Sequence, residues 1–176
     1  AELLELPPAG QGIVALELVN LFEALGVGSL APDDPDRWHL MVEAKKLAFA
    51  DRDAYAGDPR SVDFDPLRLL DPTHAAQRRK AIGGRAAEHV EAGELALPAH
   101  TTFLAVADRD GNVVTLIESV FSGFGAATMV PGTGILLNDR LRGFSLDAAS
   151  PNGIAPGKRP VHTLNTVMAL EGSAPR

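Results

Sequence analysis

Apolar residues recur at three-to-four spacing through the first half of the chain and at every second position further on. The first pattern predicts helices and the second strands. In "IVALELVNLFEALG", Ile13, Leu16, Val19 or Asn20, and Glu23 fall at helical spacing, and Gly26 ends the segment. The apolar residues spread so far round this helix that most of it is expected to be buried. A second helix opens at Asp34 as N-cap with Pro35 in the first turn. It repeats through Trp38, Met41 and Val42, Lys45, and Phe49, and stops at Gly57-Asp58-Pro59. "DPTHAAQRRKAIGG" predicts a third helix, capped at Asp71 or Thr73 and closed by Gly83-Gly84. Residues 94–100 read as a loop. From Thr101 two β-runs flank "DRDGN", whose Asp-Gly suits a tight hairpin turn. "FSGFGAATMVPGTG" reads as a Gly-rich loop, "GILLND" as a short strand and "VHTLNTVMAL" as a buried strand.

Composition narrows the class. The chain has 176 residues, 45% hydrophobic and 22% charged, in the globular range. A net charge of −7 argues against a nucleic-acid or anionic-membrane surface. The longest apolar stretch, Ile13 to Leu25, is broken by Glu17 and Glu23 and is too short for a membrane span. With no cysteine, thiol nucleophiles, disulfides and thiolate metal sites are ruled out for this chain. The chain starts at Ala1 and finishes at "VMALEGSAPR", just after a strand-like run, and is expected to be a section of a longer polypeptide. The compartment stays open.

Several motifs imitate chemistry. Asp108, Asp110 and Asn112 resemble the start of a calcium loop, but the glycine is fourth rather than sixth and position twelve is Ser119, so a hairpin turn is favoured. The histidines at 39, 74, 89, 100 and 162 lack the close pairing of a zinc site. "GFGAATMVPGTG" lacks a phosphate-loop lysine. The charges of "ADRDAY" read as a solvated helix face or a cap.

"PAHTTFL" raises a sharper question, because a loop ends there on two hydroxyls. Thr101 and Thr102 suit a strand start by β-propensity alone. A threonine at a free N-terminus is also a nucleophile carrying its own base. Its α-amine, with a reference pKa of roughly 7.7–8.0, is matched to neutral pH. That amine exists only if the chain is cut before Thr101, and the same hydroxyl can make the cut by attacking the carbonyl of His100.

In order, "GQG", "EAKKLAFADRDAYAGDP", "HTTFLAVADRDGNVVTL", "FGAATMVPGTGILLND" and "PNGIAPGKRP" resemble the γ-glutamyltranspeptidase family of N-terminal-nucleophile hydrolases, over essentially the whole chain. The resemblance implies an α/β, four-layer αββα fold, present here only in part. It implies autocleavage between His100 and Thr101, with residues 1–100 the mostly helical end of a large subunit and residues 101–176 the β-rich start of a small one, together forming one structural domain. Thr101 would be the nucleophile, and Ser119 would supply a hydroxyl bonded to it. The family's oxyanion glycines would lie beyond Arg176, leaving this chain alone poorly active. No cofactor or metal is implied. The partners are a small amide substrate and the other segments of the precursor. Many bacterial relatives are exported.

The departures concern specificity. By the same resemblance, Asn138, Arg140, His162 and Thr163 would fall in the family's substrate-binding segments. Arg140 stands where the family usually has a neutral amide, Gly143 where it has an acid, and Phe121 where it has an Asn. Val161-His162-Thr163 replaces a serine-rich stretch, a pattern resembling the cephalosporin-acylase-like branch. An Arg favours a carboxylate over an ammonium. Lys158-Arg159 is either substrate-facing or a loop ion pair. The expected activity is amide cleavage or acyl transfer through an acyl-threonine ester, on γ-glutamyl or glutaryl amides. The alternative is a catalytically inert structural piece, which intact mass after incubation would distinguish.

Overall fold

The computed structural model describes residues 1–88 and 102–175, so His89, His100, Thr101 and the loop expected at 94–100 lie outside the described residues. Among the described residues there are three α-helices: α1 (Gly12–Ala24), α2 (Pro35–Tyr55) and α3 (Pro72–Arg78). Gly26 takes the left-handed conformation, φ 68°, that a residue with a Cβ adopts at a cost. Asp34 accepts from the Asp36 N–H at 2.9 Å and opens α2. Asp71 does the same for α3 through the Thr73 N–H at 2.7 Å. The third helix is shorter than its sequence pattern, passing into a 3-10 turn over Arg79–Ala81.

The helical core contains Ile13, Val14, Leu21, Ala44, Leu47, Ala48, Leu69 and Ala75. This corrects the expected faces. In α1 the inward positions are Ile13, Val14, Glu17 and Leu21, while Val19 and Glu23 face out. In α2 Trp38 and Val42 are exposed, and Glu43, Ala44, Leu47, Ala48 and Asp51 are buried. Small Ala44 and Ala48 allow close approach of the helices, which large residues at those positions would prevent. Trp38 stays at the surface with its indole donating to the Pro32 carbonyl at 3.0 Å.

The buried acids belong together. Glu17 of α1, Asp51 of α2, and His74 and Arg78 of α3 meet between the helices. Arg78 holds Asp51 through two contacts of 2.8 Å. His74 Nε2 lies 3.1 Å from Asp51 and 3.3 Å from Glu17. Burial, then a hydrogen bond shared with Asp51, pushes the Glu17 carboxyl up to about 9. Glu17 is therefore a neutral acid at pH 7, donating to Asp51. The "ADRDAY" segment is thus not simply a solvated face: Asp51 is one of the groups that tie the three helices.

The strands of the described residues form two sheets. β1 (Glu2–Glu5), which the hydrophobic pattern did not predict, pairs antiparallel with β4 (Val167–Glu171), and β4 pairs with β5 (Ala174–Pro175). Only the second half of "VHTLNTVMAL" is strand, and it is half-buried rather than enclosed. "GILLND" is not a strand: Leu136 makes one isolated bridge to Met129, because the positive φ of Gly132 and Gly134 bends the segment. The expected hairpin is present. β2 (Thr102–Ala107) pairs with β3 (Val113–Glu118), from Thr102 opposite Glu118 to Ala107 opposite Val113. Asp108 closes its turn by accepting from Asp110 N, Asn112 N and Asn112 Nδ2. No helix among the described residues is long and apolar enough to cross a membrane.

Asp58 and Gly57 join the helical part to the later loops. The Asp58 carboxylate, fully buried, receives Arg60 and Arg159, together with both of their backbone N–H groups. These donors, led by the Arg60 and Arg159 guanidinium groups, hold its pKa far below the usual carboxylate range. Arg159 is thus the loop ion pair of the two readings. Gly57 packs so tightly on the Pro151 carbonyl that a Cβ would overlap it.

Candidate active site

Ser119 directly follows Glu118, the partner of Thr102 and the last paired residue of β3. The chain then turns sharply. Phe121 is buried at φ 81°, a conformation uncommon for a residue with a Cβ, and its N–H donates to Ser119 Oγ at 2.9 Å. This bond fixes the hydroxyl against its own loop and supports the strained backbone.

Residues 138–142 return beside this turn. Asp139 N donates to Val120 O at 3.2 Å. The Asp139 carboxylate accepts from Ser122 N at 3.0 Å and from Ser122 Oγ at 2.5 Å. The Ser122 contacts lower the Asp139 pKa, so it remains ionised at neutral pH, and Arg142 adds a 3.3 Å contact. Asn138 Oδ1 accepts from Arg140 N at 3.0 Å, which turns the chain into a 3-10 segment over Arg140–Gly143. Arg140 then reaches back: Nη2 donates to the Ser119 carbonyl at 3.2 Å, and the guanidinium lies 5.6 Å from the Phe121 ring centre. Its Nη1 is buried and has no hydrogen-bond partner among the described residues.

A third segment completes the group. His162 N donates to Ala9 O at 3.0 Å, so the second half of the chain lies against the loop before α1. His162 Nδ1 accepts from Leu164 N at 3.3 Å, which places the proton of the neutral ring on Nε2. Burial, then the charges of Arg140 and Arg159, push the imidazole pKa down and keep the ring neutral at pH 7. Gly10 makes room, since a Cβ there would lie 3.2 Å from His162 Cε1. Asn152 bridges the segments by donating to Gly143 O at 2.6 Å while its Oδ1 accepts from Val161 N at 2.9 Å. Thr163 is exposed.

The described site residues therefore divide in two. Ser119, Asn138 and Arg140 are joined by direct bonds or adjacent backbone, and His162 feels the Arg140 charge. Among the described residues, no hydrogen bond joins the Thr163 side chain to Ser119, Asn138, Arg140 or His162. The sequence reading missed the Ser122–Asp139 hook and the left-handed Phe121. Asp139 lies between two candidates, Asn138 and Arg140, and that adjacency was the available signal.

The γ-glutamyltranspeptidase family model matches residues 1–176. The chain is 37% identical to the glutathione hydrolase-like YwrD proenzyme of Bacillus subtilis (strain 168), covering 97% of this chain and 32% of that protein. It is 36% identical to the oxamate amidohydrolase proenzyme of Klebsiella pneumoniae, covering 95% of this chain and 31% of that protein. Among solved structures it is similar to cephalosporin acylase from Bacillus halodurans, with a TM-score of 0.85 and 39% identity, over 98% of this chain and 31% of that one. The chain spans about a third of the length of these relatives. The structural match identifies the helices and sheets as part of the αββα N-terminal-nucleophile hydrolase fold. Sequence and structure agree that this chain belongs to the γ-glutamyltranspeptidase family.

Proposed function

We propose that the protein is an autoprocessing amide hydrolase or acyltransferase whose nucleophile is Thr101. In the precursor the Thr101 hydroxyl attacks the His100 carbonyl carbon. The peptide C–N bond breaks, an ester forms at the Thr101 oxygen, and the proton passes to the released amine. Water then hydrolyses the ester and leaves His100 with a carboxylate. Residues 1–100 end the large subunit and residues 101–176 begin the small one, held together with the remaining segments of the precursor. In turnover the freed α-amine takes the hydroxyl proton, Thr101 attacks the substrate amide, and the leaving amine departs protonated. Water or an acceptor amine then resolves the acyl ester. No step calls on a cofactor.

The observation that carries this reading is the register of the hairpin. Thr102 pairs with Glu118, and Ser119 follows with its hydroxyl oxygen fixed by the Phe121 N–H. The reading takes this antiparallel pairing as running one step further in the precursor, which would set Ser119 across from the proposed nucleophile. The acyl pocket is proposed beside it, with Arg140 receiving a carboxylate of the acyl group and Asn138, His162 and Thr163 forming its walls. Two relatives lend support: one is an oxamate amidohydrolase, whose named substrate carries a carboxylate beside its amide, and another is a cephalosporin acylase.

N-terminal sequencing of the processed full-length protein tests the assignment. The small fragment is expected to begin at Thr101, and a Thr101→Ala precursor is expected to stay whole and inactive. A start elsewhere, or an active Thr101→Ala protein, overturns it.

A further inference from the structure

Arg140 has an acid as its immediate neighbour in the chain, Asp139, yet the two side chains do not meet. Adjacent Arg and Asp residues can pair directly. In α2, Arg52 Nε and Nη2 each lie 2.7 Å from Asp53 Oδ1. Among the described residues no such hydrogen bond or ion pair joins the Asp139 carboxylate to the Arg140 guanidinium.

Asp139 is committed elsewhere. Its Oδ1 accepts from the Ser122 N–H at 3.0 Å. Its Oδ2 accepts from the Ser122 hydroxyl at 2.5 Å and from Arg142 Nη1 at 3.3 Å. Arg142 Nη1 also donates to Ser122 Oγ at 3.3 Å, so the three side chains close on one another. The Asp139 side chain is only 11% exposed, which leaves little room for water to replace these donors. Arg140 turns the other way, to the Ser119 carbonyl and the Phe121 ring, and its buried Nη1 has no partner among the described residues. Burial pushes the Arg140 pKa down, and the Asp139 charge offsets this only in part.

The two possible arrangements have opposite consequences for a ligand. A guanidinium paired with its own neighbour is neutralised, and an incoming carboxylate must displace that neighbour. A guanidinium kept apart offers its charge to the ligand. A released Asp139 would also attract the α-ammonium of a γ-glutamyl group, so both effects move selectivity in one direction.

We propose that Ser122 and Arg142 set the specificity of the acyl pocket by holding Asp139 away from Arg140, which keeps the guanidinium open to a carboxylate of the acyl group. The proposal rests on the reading of Arg140 as the carboxylate receptor. Ser122 and Arg142 are positioning residues, since both act on Arg140 through Asp139.

The test uses the processed full-length enzyme. It reads the ratio of kcat/KM for glutaryl p-nitroanilide to that for the γ-glutamyl compound. Ser122→Ala combined with Arg142→Met removes both side-chain donors and leaves Asp139 Oδ2 to turn toward Arg140. The ratio is expected to fall about tenfold. Adding Asp139→Asn to that protein removes the competing charge and is expected to bring the ratio back to within about threefold of wild type. A merely structural hook cannot give that recovery, because the third change takes away a further contact. Asp139→Asn alone keeps an oxygen for the Ser122 N–H and is expected to hold the ratio at or above that of wild type. A fall of less than about threefold in the double variant overturns the proposal, as does a triple variant without recovery. A clear loss of the ratio in Asp139→Asn alone also overturns it, and that single variant decides the matter if the double variant does not fold. A ratio that Arg140→Gln leaves unchanged overturns the carboxylate reading of Arg140 and this proposal together. A ratio that collapses in Arg140→Gln but survives in the double variant overturns this proposal alone.

Discussion

Arg140 uses one end of its guanidinium on the Ser119 carbonyl and keeps the other, Nη1, buried without a partner among the described residues. An unmet buried donor costs about 1–3 kcal/mol, more when charged, and a substrate carboxylate placed there recovers that cost. The site should therefore favour an acyl group ending in a carboxylate without an α-ammonium. Full-length enzyme is expected to show higher kcat/KM for a glutaryl p-nitroanilide than for the γ-glutamyl compound, by about ten- to a hundredfold for a charge-assisted bond of roughly 1.5–3 kcal/mol. Arg140→Gln should erase most of that ratio. A tenfold preference for the γ-glutamyl compound, unchanged by Arg140→Gln, would sink the idea. The residue types at 119, 138 and 140 were legible because a motif marks them. The Ser122–Asp139 bond was not, because it spans a loop whose path depends on Phe121 adopting a left-handed backbone, and nothing in a Phe announces that.

At the scale of elements, the caps and stops of the helices were readable and their inward faces were not. Asp34-Pro35, Asp71 and Gly26 act within a turn of backbone, so local chemistry decides them. The faces are decided by what packs opposite. α1 is apolar nearly all round and offers no preferred side, and α2 hides an acid, Asp51, because α3 supplies Arg78 and His74 to meet it. The Glu17 acid in that cluster makes a pH prediction. Its folded pKa, about 9, lies above the ordinary value of 4.5. The stabilisation from its protonated form is complete below about 4.5 and is lost as pH rises toward 9, by up to about 1.4 kcal/mol per pH unit. Asp51, His74 and Arg78 are the charged or titratable groups facing it. Glu17→Gln keeps a donor for Asp51 without a titrating proton. Urea midpoints at pH 5, 7 and 9 should fall steadily in wild type and stay flatter in Glu17→Gln. Parallel curves would show that Glu17 is already ionised in the native protein.

Across the whole molecule the helical part and the later loops meet at a few tight points that no local pattern encodes. Gly57 against Pro151 and Asp58 between Arg60 and Arg159 join segments far apart in the chain. The sequence marked Gly57-Asp58-Pro59 only as a helix stop, since its second role depends on a partner almost a hundred residues away. Gly57→Ala is expected to destabilise the full-length protein by about 1–3 kcal/mol through overpacking. Gly28→Ala, in open space, should be neutral or slightly stabilising; equal urea midpoints for the two variants would show that the Gly57 contact yields freely. The hairpin is the opposite case, and its consequence is one of timing. Its turn is closed by a single side chain, Asp108, and all its pairs are local, so β2 and β3 can meet in about 1–10 μs. β1 finds β4 only after the chain has brought Glu2 to Leu170, a slow search for distant partners. Ser119 thus reaches the open end of its hairpin early, while most of the molecule is still assembling around it.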